Sequence, residues 1–520
     1  MVTDIVVVGG GVGGIAAALA AAKAGKRVVV AEETDWIGGQ LTSQAVPPDE
    51  HPWIESFGCT ASYREYRQRV RDYYRRHFPL TPAARANPLL NPGNAGASRL
   101  AHEPRAALAV LRDMLAPYVH AGRIVVLERH ALASAETDGD TVRSVTVRDA
   151  ETGDTVALVG AYVLDATEEG DVLPLAGVEY ATGAESADET GEPHALHGPA
   201  DPADMQAITW CFAMDYAEGE DHTIDKPEQY AFWRTYRADF WPGRLLDWTG
   251  VSPRTLEPVT YGLFEDGKAY PLWRYRRVVD RTLFADGAFD SDITIVNWPQ
   301  NDYWLGPIVD VPADVRAARL EEARQLSLSL LYWLQTEAPR PDGKAGYPGL
   351  RLRGDVVGTR DGLAKKPYIR ESRRIRAECT VLEQHLSPAC RPDGRSLAYP
   401  DTVGVGCYRI DLHPSTALRT YVDIPSLPFH IPLGALIPVR CDNLLAAAKN
   451  IGTTHITNGC YRLHPVEWNV GEVAGLLAAY CIDRGRRPRE VRNDADELEA
   501  FRKRVDAAGV PLGWPHIREV

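Results

Sequence analysis

Residues 5–14 read IVVVGGGVGG, a β-branched apolar run that stops on a cluster of glycines. Gly9, Gly11 and Gly14 stand in the spacing G-x-G-x-x-G. The alanine-rich segment 15–24 has the composition of a helix. A second strand-like run, 27–31, follows Gly25 and leads to Glu32, 18 residues beyond Gly14. Each residue type has a physical task in a dinucleotide-binding turn. Gly9 permits the tight strand-to-helix turn, Gly11 lets the backbone approach a pyrophosphate, and Gly14 lets helix pack closely on strand. The helix N-terminus offers free N–H groups and a positive dipole end to phosphates, and Val12 and Gly13 are expected at the cofactor with the glycines of the turn. Glu32 is placed to accept hydrogen bonds from a ribose hydroxyl. Strand, helix, second strand and acid fall in register, which makes the pattern far more specific than the glycines alone.

Because residues 5–22 carry no charge, a secretory leader or membrane helix is the alternative. Asp4 stands where a leader carries a basic segment, and five glycines fall within ten residues. The stretch therefore reads as a buried parallel strand and its helix. The chain has 520 residues, 45% apolar, enough for two or more domains or one with large insertions. A net charge of −14 argues against nucleic acid or an anionic membrane as the main partner. Eight cysteines form no C-x-x-C pair, so no metal site or cluster is expected. Without a leader they read as reduced thiols in a cytoplasm.

The segment after Glu32 and Glu33 separates the dinucleotides. Residues 32–44 read EETDWIGGQLTSQ, with Gly38-Gly39 followed by Gln40, Leu41 and Thr42. This resembles the double-glycine motif of flavoproteins with two dinucleotide-binding domains. A second match is YVLDA at 162–166, running into Thr167, Glu168, Glu169, Gly170 and Asp171. It resembles the Ala-Thr-Gly passage beside the flavin, with Ala166 and Thr167 in place and Glu168 where glycine is usual. A third lies at 442–471, where DNLLAAAKN leads through Asn450 to IGTTHITNGCYRLHPVEWNVG. That segment is similar to the closing flavin motif, in which a last helix, here read at 472–480, aims its N-terminus at the ring. Ala447-Ala448 replaces the usual Ala-Gly pair. With 366–375 and 428–438, these segments resemble the FAD-dependent oxidoreductases related to fumarate-reductase-type flavoproteins. An NAD-binding enzyme would leave the double glycine and the C-terminal segment unexplained.

The resemblance implies an α/β fold: a discontinuous Rossmann-like FAD-binding domain with an inserted α+β substrate or cap domain. The expected divisions are 1–50, 100–175 and 435–485 for FAD, 51–99 for a lid or helical insertion, 176–434 for the cap and 486–520 for a helical tail. Residues 131–148 read as a hairpin, with Leu132 near the adenine. The basic aromatic stretch 63–78 reads as a solvated or domain-bridging helix, with phosphate binding as the alternative. Eight of the twelve tryptophans fall between 210 and 333, either lining a pocket or filling the cap's core.

A flavin performs the redox step, and the protein supplies a base, orientation and electrostatics. Histidine suits the base, and His413, His430, His455 and His464 are the four to weigh. The resemblance places His455 and Arg462 where related proteins hold a substrate carboxylate. His464 and Glu467 follow at the mouth of the flavin helix, either catalytic or capping it. Asn450, Asn469 and Val470 are expected at the flavin. Arg370 and Arg373 clamp an acidic substrate or bridge domains, and His430 is a further substrate contact. Cys59 is a possible covalent attachment point. No second glycine fingerprint is present, which argues against an NADPH domain. The expectation is a soluble FAD-dependent oxidoreductase removing hydride from a small organic substrate, with oxygen or another acceptor reoxidising it. A double-bond reductase, a monooxygenase and a redox-neutral flavoprotein are the alternatives.

Overall fold

The computed structural model describes residues 1–265 and 270–515. At its centre lies a five-stranded sheet in the order Leu444–Ala446, Tyr162–Asp165, Ile5–Val8, Val28–Glu32, Ile124–Glu128. All four pairings are parallel. Parallel strands are covered on both faces, so they read as unbroken apolar runs rather than alternating ones. Ile5, Val6, Val7 and Val8 are all buried, as the opening stretch requires.

The order of strands fixes the site. From Ile5–Val8 the chain steps one way to Val28–Glu32 and Ile124–Glu128, then the other way to Tyr162–Asp165 and Leu444–Ala446. The direction reverses between Ile5–Val8 and Tyr162–Asp165, and ligands of open α/β sheets bind at the carboxyl ends of such strands. Those ends are Gly9 and Ala166.

Helix Val12–Lys23 covers the sheet and packs along the C-terminal helix His464–Arg484. The seam is built from missing side chains. A β-carbon at Gly471 would land on the Gly13 carbonyl, and one at Gly475 on that of Ala17. Both helices start earlier than composition indicates, at Val12 and at His464. Glycines and a histidine-proline pair hide these starts because neither favours a helix interior; at the first turn both are tolerated. The segment before the second helix is itself a helix, His455–Tyr461, capped by Thr454.

Strand His130–Asp138 pairs with Thr141–Asp149, and a third strand, Thr155–Leu158, completes an antiparallel sheet beyond the expected hairpin. A second layer holds an antiparallel sheet in the order Arg277–Val279, Ile293–Val296, Phe212–Tyr216, Leu350–Leu352. Near it, helix Ala313–Thr336 packs on Tyr230–Thr235. Trp210, Trp233, Trp298, Trp304 and Trp333 are buried here, so most of the tryptophan-rich region is core. In helix Ala61–His77, buried Arg67 donates to Glu50 (2.8 Å) and Glu55 (2.7 Å), and Arg71 to Glu55 (2.7 Å). Internal carboxylates answer that basic face, which leaves little of it for phosphate. Among the described residues, no helix is long and apolar enough to cross a membrane.

Candidate cofactor cradle and active-site cavity

A cavity of about 320 Å³ opens at the reversal point of the sheet. Gly9, Gly11, Glu32 and Glu33 line it from the first two strands, and Gly39 from the double-glycine turn. Leu132, Ala166, Thr167, Glu168 and Asp171 close the other side. Gly9 has φ +98°, and a β-carbon there would strike the Ala166 carbonyl, so only glycine lets the two strand ends meet. Gly38, at φ +110°, donates its N–H to the Gly10 carbonyl at 2.7 Å and folds the loop over the turn. Leu41 and Thr42 are buried behind it, Thr42 donating to the Ile37 carbonyl at 2.7 Å.

Glu32 accepts from the Gly10 N–H at 2.9 Å, and from the Thr34 N–H and hydroxyl at 2.9 and 2.7 Å. Burial outweighs these donors and pushes its carboxyl up to about 7. Glu33 pairs with Lys366 at 2.6 Å. Asp165 accepts from the Thr167 N–H and hydroxyl at 3.1 and 2.7 Å, and the Thr167 oxygen accepts the Asp171 N–H at 2.7 Å. Arg373 donates to Asp171 and to the Glu169 carbonyl, both at 2.9 Å. It lines this cradle and not the larger cavity.

The C-terminal helices form the wall behind the turn. The Gly13 N–H donates to Glu467 at 3.4 Å, and Gln40 bridges Glu467 and the Arg462 carbonyl. Burial pushes the Glu467 carboxyl up to about 7 against the pull of Lys449. His464 is fully buried, and its Nδ1 accepts the Asp49 N–H at 3.1 Å. Burial drives its pKa down to about 3, so the ring is neutral with Nε2 protonated. Asn450 ties two strand ends together, bonding the Ala448 N–H and the Asp165 carbonyl. Asn469 donates to Val403, and Val470 is core.

A second, larger cavity of about 1100 Å³ takes residues 50–53 into its lining. Arg276 enters its wall bidentate to Asp49 (3.0 and 3.1 Å), and Arg462 backs it through Tyr368 (2.6 Å) and the Asp411 carbonyl (3.0 Å). His413 is its one partly exposed imidazole with a buried carboxylate behind it. Nδ1 lies 2.5 Å from Asp302, and Nε2 lies 3.9 Å from Asp411. Asp302 also accepts from Arg370 at 3.0 Å and from Thr209. Burial works to raise the Asp302 carboxyl, but Arg370 and His413 outweigh it and hold it below the usual carboxylate range.

The expected site residues thus divide. His455 lines neither cavity. It is 2% exposed, with Nδ1 on Glu371 (2.9 Å) and Nε2 on Arg419 (3.1 Å). The helix start at His455, unreadable in the sequence, turns that ring into the interior. Arg370 stands behind Asp302 rather than in the cavity, and His430 sits on a strand facing Ser396 (3.4 Å). Asp302, Asp49 and Arg276 were not legible. Asp302 lies 111 residues from His413, with no motif around it. Cys59 is buried, lines neither cavity, and its thiol is pushed up to about 11 by burial. Cys59→Ser is therefore expected to leave bound flavin unchanged, which the visible spectrum before and after acid precipitation checks.

The glycine turn offers amides to a pyrophosphate, Glu32 an acceptor to a ribose, and Arg316, Lys366 and Arg373 supply cations at the rim. Gln40 Oε1, Arg462 Nε and His464 Nε2 are buried without a hydrogen-bond partner among the described residues. Buried polar atoms are rarely left so, and all three sit in the wall behind the glycine turn, where Gln40 bridges Glu467 and the Arg462 carbonyl. The residues present fit a dinucleotide held at the cradle.

The parallel sheet with a glycine-lined cradle at its reversal point defines the class. The family model for FAD dependent oxidoreductases matches residues 4–505, and the chain belongs to that family. Its cofactor is FAD. No match was found among curated proteins. Among solved structures, the myxobacterial chondrochloren halogenase CndH is 17% identical, with a TM-score of 0.23, covering 42% of this chain and 45% of its own. The anhydrotetracycline hydroxylase OxyS from Streptomyces rimosus is 17% identical, TM-score 0.24, covering 49% and 43%. A geranylgeranyl bacteriochlorophyll reductase-like protein from Thermoplasma acidophilum is 11% identical, TM-score 0.32, covering 97% and 83%. The chain spans less than half the length of the first two.

Proposed function

We propose that this FAD-dependent oxidoreductase is a dehydrogenase or oxidase that takes hydride from a carbon bearing oxygen or nitrogen. Its substrate is a small organic molecule held in the larger cavity. The observation that carries the reading is the Asp302–His413 hydrogen bond at the cavity wall. FAD supplies the hydride acceptor when bound. Asp302 fixes Nδ1 as the protonated nitrogen, leaving the Nε2 lone pair to take the substrate proton. The ion pair with Arg370 keeps Asp302 ionised, so the imidazolium that forms is stabilised. Asp411, held by Arg462, stands on the Nε2 side and favours the same charge. Tyr275, Tyr408, Tyr421 and Trp298 give the cavity an aromatic lining that limits water at the reacting carbon. In this reading Arg462 holds Asp411, His464 holds the Asp49 segment, Glu467 holds the glycine turn, and His455 holds the scaffold through Glu371.

The test is anaerobic mixing of the holoprotein with a panel of hydroxy and amino compounds. Bleaching of the flavin band by a panel member is the expected result. No bleaching, together with reoxidation of pre-reduced protein by activated alkenes, would replace the reading with double-bond reduction.

A further inference from the structure

Glu168 occupies an unexpected place. Its carboxylate projects into the glycine cradle, where a β-carbon at Gly11 would lie 2.8 Å from Oε1 and one at Gly39 would be closer still. Oε1 is buried and has no hydrogen-bond partner among the described residues. The other oxygen, Oε2, is paired with Lys449, a lysine only 2% exposed. Lys449 in turn lies 3.8 Å from Glu467, whose Oε1 takes the Gly13 N–H. Two carboxylates and one ammonium therefore surround the amides that a pyrophosphate needs. An anionic ligand and the Glu168 carboxylate claim the same volume and the same cation.

We propose that Glu168 is an internal stand-in for the cofactor's pyrophosphate. Entry of the dinucleotide swings the carboxylate out of the cradle, and Lys449 exchanges its ion pair with Glu168 for one with the phosphate oxygens. No covalent bond changes. The exchange keeps the buried ammonium neutralised throughout, which matters because an unpaired buried charge is costly. It also sets cofactor affinity, since the entering phosphates must displace a carboxylate already paired with the lysine. The proposal rests on FAD being the cofactor.

Equilibrium titration of the full-length protein, stripped of flavin, tests it with FAD, ADP and adenosine as probes. Glu168→Gln and Glu168→Gly are both expected to bind FAD and ADP at least ~10-fold more tightly, and Lys449→Met at least ~10-fold more weakly, the scale of one charge-assisted hydrogen bond. Lys449→Arg is expected to stay near the parent. Adenosine, which has no phosphate, is expected to bind all versions alike. Circular dichroism identifies any variant that fails to fold, and the second Glu168 variant keeps the test standing. Weaker FAD binding by both Glu168 variants would overturn the proposal and make Glu168 a direct cofactor ligand. Equal gains for ADP and adenosine would overturn it by assigning the effect to space rather than charge. Failure of the parent protein to bind FAD or ADP would remove the cofactor assignment and the exchange together.

Discussion

His413→Ala is expected to keep FAD bound and to slow substrate-driven flavin reduction by ~100- to 10,000-fold, the range for loss of a general base. Stopped-flow reduction under anaerobic conditions measures it. The expectation follows from geometry: Asp302 orders the ring at 2.5 Å, and the ring alone among the candidate histidines combines a buried carboxylate with cavity exposure. Asp302→Asn provides the companion result. It retains the hydrogen-bonding shape while losing the charge, so it should slow reduction and shift the pH profile, because the base then titrates without its counter-ion. His455→Ala is expected to lower the melting temperature and leave the reduction rate within a few-fold, since its ring is spent on Glu371 and Arg419. A rate loss in His455→Ala with normal reduction in His413→Ala would move the base to His455.

The second large effect is structural. Gly471→Val is expected to destabilise the protein by about 3 kcal/mol, the upper part of the range for overpacking, and to strip it of flavin. Its β-carbon would fall on the backbone carbonyl of Gly13, and backbone cannot move aside as a side-chain tip can. Separating the helices pulls the Gly13 amide off Glu467 and disturbs the turn that carries Gly9 and Gly11 in the cradle. Thermal melting and flavin content after desalting report the two losses. Gly243→Ala, at a position with open space around it, is expected to change neither.

The cradle was readable because each of its parts is local. Gly9 to Glu32 is one strand-turn-helix-strand unit, and the residue types are dictated by a turn, a close approach and a hydrogen bond within it. Gly38-Gly39 and Ala166-Thr167 were readable for the same reason. The lining of the larger cavity was not, because its partners come together across long stretches of chain. His413 meets Asp302, and Arg276 meets Asp49 across 227 residues, with no spacing rule to mark either. The burial of His455 was hidden for a related reason. Proximity to the flavin segment suggested the site, whereas one capping threonine starts a helix there and turns the ring inward. Most of the tryptophans followed their bulk into the core, with Trp298 also lining the larger cavity.

The interlock of Gly13 with Gly471 also orders events during synthesis. A ribosome delivers the glycine turn almost at once, yet the strand Leu444–Ala446 and the helix that seats against that turn emerge only after more than four hundred further residues. Until then the nascent N-terminus lacks the helix that packs against Gly13 and Ala17 and the strand that pairs with Tyr162–Asp165. A chain cut short before residue 440 therefore lacks both and is expected to leave the ribosome colourless.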